Sequence, residues 1–385
     1  MASTTSRWKV PMAGRSRDEE GRTATPLELL FDLVFVVAIA FAAAALHHDV
    51  VEGLVGEAIV RYFQVFFAIW WAWMNFTWFA SAYDTDDVPY RLATFAGITG
   101  CLIMAAGVPQ AFDVGDFTVV TIGYVVMRLA LVSLWVRAGR DDPEHAPAAF
   151  RYAGGVALVQ VGWILLLFAP EEMTTLGFAL LVVAELAVPV WAESASLTTW
   201  HREHIEERYG LFTIIVLGES ILASSLAIQT VMGEIAGSVD LILIIVGGLI
   251  SVFSMWWLYF AQRSHDLLTS FRSVFTWGYG HYLVWASAAA VGAGLAVSID
   301  HATGHGNIGG YGAGAAFAIP AAAYIATLWI LHYVPRHGGL GHNVRAVAAV
   351  CLILLTPFTG QAVLLTGVIM STLLATKLWT ARGSD

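Results

Sequence analysis

Long apolar runs alternate with short polar connections along nearly the whole sequence. A helix needs about 20 predominantly apolar residues to cross a hydrocarbon core of ~30 Å, and most of these runs reach that length. We therefore predict an all-α, polytopic integral membrane bundle of about twelve transmembrane helices, at residues 27–46, 58–80, 92–112, 117–136, 149–169, 174–191, 209–230, 239–261, 274–298, 311–333, 344–358 and 360–379.

The last two runs are separated by a single break. Thr356-Pro357 interrupts a long apolar stretch, and Gly360 follows closely. Proline and glycine are typical of turns, so we count two helices here. One kinked helix over 344–379 is the alternative.

Composition and the placement of basic residues agree with this architecture. Hydrophobic residues make up 58% of the chain and charged residues only 12%, about half of the roughly 25% that is typical of soluble domains. Lys and Arg occupy every second connection between runs, with Arg61 and Arg128 as exceptions. Because Lys and Arg are enriched in cytoplasmic connections, we predict a multi-pass protein of the inner (cytoplasmic) membrane with both termini in the cytoplasm.

A faint internal repeat indicates two similar halves. Three residues of an early connection recur about 181 residues later, where Asp84, Arg91 and Gly97 return as Asp266, Arg272 and Gly278. Some transporters are built from such parallel repeats. We therefore predict a basic N-terminal tail at 1–26, six-helix halves at 27–205 and 206–380, and a short tail at 381–385.

Ionisable side chains inside the apolar runs are the candidate functional residues. A charge near the bilayer centre costs at least ~2.5–3.5 kcal/mol, so such residues normally face a bundle interior and have a partner or a function. Glu28 and Asp32 lie four residues apart, on one face of the first helix. Thr25-Pro26-Leu27-Glu28 matches a capping box, so we interpret Glu28 mainly as a helix cap. Asp32 lies one turn deeper, where a functional role and an ion-pair role are both open.

Three further charges are predicted near mid-membrane: Arg128, Glu185 and Glu219. Glu219 has no residue one turn away on its own helix that can pair with it, and Gly218 beside it would allow another helix to approach closely. Arg128 is the expected partner of one carboxylate, in a functional site or a structural ion pair. One arginine cannot neutralise Asp32, Glu185 and Glu219 together, and this imbalance favours ion or proton handling.

Other polar residues carry weaker signals. His281 is a secondary ionisable candidate, and we expect Asn75 and Gln160 to form hydrogen bonds between helices. The aspartates of Y-D-T-D-D at 83–87 are interpreted as a helix-capping turn, since the spacing of a calcium-binding loop is absent. The Trp-rich stretch at 70–78 is interpreted as core packing.

The remaining histidines do not predict a metal site. Those of two external connections are interpreted as loop polarity rather than as a metal port: His47, His48, His301 and His305. We predict no metal, no cofactor and no nucleic-acid partner. The predicted partners are the lipid bilayer and a small solute or a proton.

Three motifs carry a family resemblance. They are E-L-L-F-D-L-V-F-V at 28–36, the Trp-rich second helix leading to Y-D-T-D-D, and H-I-E-E-R-Y-G-L-F-T-I-I-V-L-G-E-S-I at 204–221. With them the chain resembles the bacterial low temperature requirement protein A (LtrA) family over residues 25–380. The resemblance implies a multi-pass inner-membrane protein named for a cold-growth phenotype, and it supplies no substrate or reaction. It places the family's signature acids at Glu28, Asp32 and Glu219, with Glu207 and Arg208 at the mouth of the seventh helix.

We consider three functions, in order of preference. The first is a proton- or ion-coupled transporter of a small solute, in which Asp32, Glu219 and Arg128 form a polar site in the membrane. The second is a structural or sensory membrane protein for cold adaptation, whose charges lock helices together. The third is an intramembrane enzyme acting on a lipid, with Asp32 or Glu219 as general base. Because a transporter is the preferred function, we predict that the chain is not an enzyme.

Overall fold

The computed structural model describes residues 8–17, 19, 21–233, 239–261, 268, 270–333, 335 and 340–382. Within these residues the secondary structure is helical and contains no strand, so the predicted all-α class is confirmed. The described α-helices are α1 (Pro26–Val51), α2 (Val55–Tyr83), α3 (Val88–Asp113), α4 (Thr118–Asp141), α5 (Ala146–Leu166), α6 (Glu171–Glu193), α7 (Arg202–Gly233), α8 (Val239–Phe260), α9 (Phe271–Ala302), α10 (Gly310–Leu328), α11 (Leu340–Leu355) and α12 (Ala362–Arg382).

Ten of these helices, α1, α3 to α10 and α12, are long and apolar enough to cross a membrane. Helix α2 has 29 residues, but its Trp, Asn and Gln residues lower its mean hydropathy. Helix α11 has only 16 residues, and a 3-10 segment, Thr356–Thr359, continues it. The predicted polytopic membrane bundle is therefore confirmed.

Two helix boundaries bear on the predictions. The apolar stretch near the C-terminus forms two helices, α11 and α12, because the chain turns at Gly360 with a left-handed φ of 74°. Helix α7 begins at Arg202, about two turns before the predicted start at residue 209. That earlier start brings a polar stretch of sequence, including Arg208, into the helix.

The chain forms two compact units. Unit 1 consists of Met1–Ala38 and Phe67–Tyr209, and unit 2 of Ile39–Phe66 and Gly210–Asp385. Helices α1, α2 and α7 each contribute residues to both units. The predicted six-helix halves at 27–205 and 206–380 stay a prediction, and Asp266 of the predicted repeat lies outside the described residues.

Glycine allows close packing of helices in unit 1. A Cβ built on Gly123 of α4 would lie 2.2 Å from the backbone nitrogen of Met104 and 2.5 Å from the carbonyl oxygen of Gly100, both in α3. Small residues let membrane helices approach to backbone contact, which strengthens their van der Waals packing. Helices α3 and α4 therefore form a tight antiparallel pair.

Within unit 1, the start of the N-terminal segment is fixed by hydrogen bonds from its backbone amides to carboxylates of the helix ends. The amides of Val10, Met12 and Gly14 donate to Asp87, Asp141 and Asp142 at 2.8, 3.0 and 3.2 Å. Met12 is buried. The carboxylates at the ends of α3 and α4 thus fix the segment that leads into α1.

Unit 2 uses the same kind of close packing. A Cβ on Gly294 of α9 would lie 2.1 Å from the carbonyl oxygen of Ala316 in α10, and one on Gly247 of α8 would lie 2.5 Å from the Cα of Leu364 in α12. A π-helical segment, Trp329–Tyr333, follows α10 directly. Unit 2 is therefore also held by backbone-to-backbone helix contacts.

Candidate functional site

The first helix begins with the capping box that the sequence predicts. The Thr25 amide donates to Oε2 of Glu28 at 2.8 Å, and the Glu28 amide donates to Oγ1 of Thr25 at 3.3 Å. These two reciprocal bonds satisfy amides that have no partner within the helix. The capping role of Glu28 is confirmed.

Glu28 has a second role that the sequence did not predict. Its Oε1 lies 2.7 Å from Nη1 of Arg208, and the same arginine binds Asp32 through Nε at 3.0 Å and Nη2 at 2.6 Å. One guanidinium from α7 thus bridges the two carboxylates of α1. The four-residue spacing of Glu28 and Asp32 places both on the face of α1 that meets Arg208.

Neutral donors and a histidine complete this site. The Trp73 indole donates to Oδ1 of Asp32 at 2.7 Å, and Nε2 of His204, one turn before Arg208, lies 3.2 Å from Oε1 of Glu28. We call Glu28, Asp32, His204 and Arg208 the α1–α7 cluster. The side chains of all four are fully buried.

The α1–α7 cluster corrects the charge count made from the sequence. That count treated Arg128 as the one deep arginine, but Arg208 is also fully buried. The error has a physical cause: Arg208 stands in a run of polar residues, which is typical of a helix flank at the membrane surface. The early start of α7 instead makes it part of the second helical turn.

Arg128 pairs with one buried carboxylate, as the sequence predicts, and that carboxylate is Glu185. Nη2 of Arg128 lies 2.8 Å from Oε2 of Glu185. Four neutral side chains from α2, α4 and α5 also donate to the same carboxylate, at 2.8 to 3.2 Å: Trp71, Tyr124, Gln160 and Trp163. We call this group the Glu185 cluster.

The two clusters differ in charge balance. The Glu185 cluster has one carboxylate and one guanidinium, and five donors surround the carboxylate. The α1–α7 cluster has two carboxylates for one guanidinium, so its own side chains lack one positive charge unless a proton is bound. Arg22 and Asp84, which interact with Glu28, add one charge of each sign. In the described part of the chain, Nδ1 of His204 has no hydrogen-bond partner. The α1–α7 cluster is therefore the better candidate for a site that gains and loses a proton.

Glu219 lies in unit 2 on α7 and is half-buried. Among the described residues, no hydrogen bond or ion pair to its side chain is present. The prediction that Gly218 allows close approach of another helix is wrong for the described structure, because a Cβ there would meet nothing within 4 Å. Asp32 and Arg128 belong to unit 1, where each has a different partner.

Each of the other polar candidates has its own local partners. The Asn75 amide donates to the Trp71 carbonyl of its own helix at 2.9 Å, rather than between helices. His281 bridges α9 and α8, with Nδ1 2.7 Å from the Trp277 carbonyl and Nε2 3.1 Å from the Tyr259 hydroxyl. Glu207 accepts the Ala24 amide at 3.1 Å. Gln160, by contrast, does connect two helices through its bond to Glu185.

The acidic turn before α3 is a cap and an anchor. Asp87 accepts the Tyr90 amide at 3.0 Å as the N-cap of α3, which confirms the capping interpretation. It also pairs with Arg137. Burial alone would raise the pKa of Asp87, but the Arg137 guanidinium and the Val10 and Tyr90 amides hold that pKa below its usual range. The turn is therefore a stable charged junction between α3 and α4.

Histidines of the connections that we predict to be external bind locally in unit 2. Nε2 of His47 lies 2.7 Å from Asp300, and Nδ1 of His301 lies 3.1 Å from the Ile308 carbonyl. In the part of the chain that the structure describes, no three His, Cys, Asp or Glu residues are arranged to hold a metal ion.

Comparison with known proteins identifies the family. The sequence model of the bacterial low temperature requirement A protein (LtrA) matches residues 23–380, nearly the whole chain. The chain belongs to the LtrA family. This LtrA-family protein is also 27% identical to an uncharacterized protein of Rhizobium meliloti (strain 1021) over 285 residues, which cover 69% of this chain and 67% of the relative. The family resemblance seen in the three sequence motifs is thus confirmed.

Proposed function

We propose that this LtrA-family protein is a proton-coupled transporter of a small solute in the bacterial inner membrane, and that the α1–α7 cluster is its proton site. The observation that carries the proposal is that two fully buried carboxylates, Glu28 and Asp32, share the guanidinium of Arg208. The alternation of basic connections supports an orientation with both termini in the cytoplasm. The proposal assigns no catalytic residue.

Charge balance supports a bound proton. With both carboxylates ionised and His204 neutral, the cluster carries a net negative charge, and an uncompensated buried charge costs several kcal/mol. A proton on His204 or on a carboxylate cancels that charge. Uptake or release of this proton changes the attraction between α1 and α7. A local charge change of this kind can shift the equilibrium between two arrangements of a pair of helices.

Proton-coupled flux in proteoliposomes tests the proposal. Vesicles loaded with a pH-sensitive dye receive a panel of amino acids, sugars, organic acids and polyamines, and the readout is solute-induced proton movement. We expect at least one class of solute to move protons with the wild-type chain. Asp32→Asn, Glu28→Gln and His204→Gln should each reduce that signal at least tenfold, and Glu219→Gln tests the carboxylate of unit 2.

Glu193→Gln is the matched control. Glu193 is also buried in unit 1, but its partners are the neutral Tyr152 and Thr198 side chains, so its variant should keep the flux. Size-exclusion chromatography confirms that each variant is folded. The proposal fails if no solute moves protons, or if the cluster variants transport as well as Glu193→Gln and also restore growth at low temperature to a strain that lacks the protein.

A structural role for the charges is the second candidate, and the Glu185 cluster favours it. Five donors surround that carboxylate, the arrangement expected of a group that holds helices together. The triple variant Glu28→Gln, Asp32→Asn, Arg208→Gln separates the two functions for the α1–α7 cluster, because it removes both acids together with their shared counter-ion. A purely structural cluster should recover both stability and flux relative to Arg208→Gln alone, whereas a proton site should recover stability without flux.

A further inference from the structure

A second feature, in unit 2, lies far along the chain from the α1–α7 cluster. Helices α8, α10, α11 and α12 line a narrow groove that is partly open to the surroundings. Its walls are mainly aliphatic, with Leu258, Ile325, Leu328 and Leu373 among the lining residues. Ligand sites commonly have apolar walls with a few polar groups.

The polar groups of this groove are basic. Arg345 of α11 and Lys377 of α12 both line it, and no carboxylate is among the described residues of its lining. Arg345 is held in place by donating through Nε to the Gly341 carbonyl at 3.0 Å and through Nη1 to the Thr376 carbonyl at 3.3 Å. The groove therefore combines an apolar wall with two basic side chains, of which the arginine is already oriented.

Such a combination matches one class of ligand. Because the surrounding helices α8, α10 and α12 are long and apolar enough to span a membrane, an acyl chain can lie along the aliphatic wall. Basic pockets between transmembrane helices bind the phosphate groups of anionic lipids. A soluble anion would meet the two cations but would leave the aliphatic wall unused.

We propose that the groove between α8, α10, α11 and α12 is a binding site for an anionic phospholipid. Arg345 and Lys377 bind the phosphate, and one acyl chain packs against Leu258, Ile325 and Leu373. Trp379 is 78% exposed two residues beyond Lys377, and exposed Trp is typical of the membrane–water interface. That position agrees with a headgroup at Lys377 and a chain directed into the bilayer.

Native mass spectrometry of the full-length chain in detergent tests this site. Phosphatidylglycerol and phosphatidylcholine with the same acyl chains are added in turn, and the bound fractions are compared. We expect the wild-type chain to retain phosphatidylglycerol about thirtyfold better, since each Lys or Arg near a membrane surface contributes roughly a factor of five. Arg345→Gln combined with Lys377→Gln should abolish that preference.

Three further variants make the result decisive. Arg272→Gln removes an exposed arginine of unit 2 that does not line the groove, and it should leave the preference unchanged. Leu373→Trp fills the groove while keeping both charges, and it should reduce binding of phosphatidylglycerol. Arg345→Lys with Lys377→Arg should preserve the preference, which guards against loss by misfolding.

Three outcomes would contradict the assignment of a phospholipid site. One is equal binding of the two lipids by the wild-type chain, and another is an unchanged preference in the double Gln variant. The third is competition by glycerol phosphate as effective as that by phosphatidylglycerol, which would indicate a soluble anion site instead.

Discussion

At the scale of single residues, the number of donors around a carboxylate distinguishes its roles. Glu185 accepts from five side chains, whereas Asp32 accepts from Trp73 and Arg208 alone among the described residues. Hydrogen bonds substitute for the water that a buried carboxylate has lost. Glu185 is therefore solvated by the protein, while the charge of Asp32 depends on a single arginine that Glu28 also uses.

A pH dependence of stability is expected from Asp84, in the turn between α2 and α3. Burial, together with the negative charge of Glu28, raises the pKa of Asp84 from 3.8 to about 6, although Arg15 and Arg22 oppose the shift. A raised acid pKa means that the folded state binds the proton more tightly. The contribution of Asp84 to the free energy of unfolding is thus fully present below pH 3.8 and is lost as the pH rises through about 6.

Asp84→Asn should consequently stabilise the protein at pH 8, by on the order of 1–3 kcal/mol for a shift of this size. The difference from wild type should approach zero below pH 3.8, where Asp84 is protonated in both folded and unfolded chains. Thermal unfolding in detergent between pH 3 and 8 measures it. Asp86→Asn is the control, since Asp86 forms an exposed pair with Arg91; an equal pH trend in both variants would contradict the assignment.

At the scale of elements, the α3–α4 pair depends on Gly123. Gly123→Ala places a methyl group 2.2 Å from the Met104 nitrogen, and backbone cannot move aside as a side chain can. We expect a loss of ~2–4 kcal/mol, above the ~1–3 kcal/mol of ordinary overpacking, and a lower melting temperature in detergent.

Gly154→Ala is the matched control for this prediction. Gly154 is also in a helix of unit 1, but a Cβ there meets nothing within 4 Å. It should be neutral or slightly stabilising, because alanine is favoured over glycine in helices by ~0.5–1 kcal/mol. Equal melting temperatures for the two variants would show that α3 and α4 are not in backbone contact.

The limits of sequence-based prediction show most clearly in α1, α2 and α7. The capping box of Glu28 was predictable because all its residues are adjacent in sequence, and the break at Pro357 and Gly360 has strong local signals. The hydrogen bond from Trp73 to Asp32 was not predictable, since a Trp-rich stretch in a membrane helix usually forms packing contacts. Arg208 was named at the mouth of the seventh helix, but its burial was missed, because distance from an apolar run does not reveal how far a helix extends beyond that run.

At the scale of the whole molecule, α11 decides on which side of the membrane the chain ends. Its 16 residues span ~24 Å at 1.5 Å per residue. The four residues of the 3-10 segment add ~8 Å at 2.0 Å per residue. Together they reach the ~30 Å of a hydrocarbon core, so α11 and α12 can cross as a pair and return the chain to the side of the N-terminus.

Reporter fusions test this topology. Alkaline phosphatase inserted at Gly304, between α9 and α10, should be active because that connection is predicted to be external, whereas the same enzyme inserted at Pro143, between α4 and α5, should be inactive. A green fluorescent protein fused after Asp385 should fluoresce in the cytoplasm. A dark C-terminal fusion with an active phosphatase at Gly304 would mean that α11 and α12 do not both cross.

The bridge between α1 and α7 also constrains how the protein is made. Arg208 follows Asp32 by 176 residues, so a ribosome working at ~5–20 residues per second needs roughly 10–35 s to supply it. During that interval α1 has reached the membrane carrying two acids without their counter-ion. The nascent chain must hold α1 near the lipid headgroups, or keep its acids protonated, until the start of α7 emerges. Assembly of unit 1 is therefore ordered in time, with α1 entering first and being fixed only after six helices have been translated.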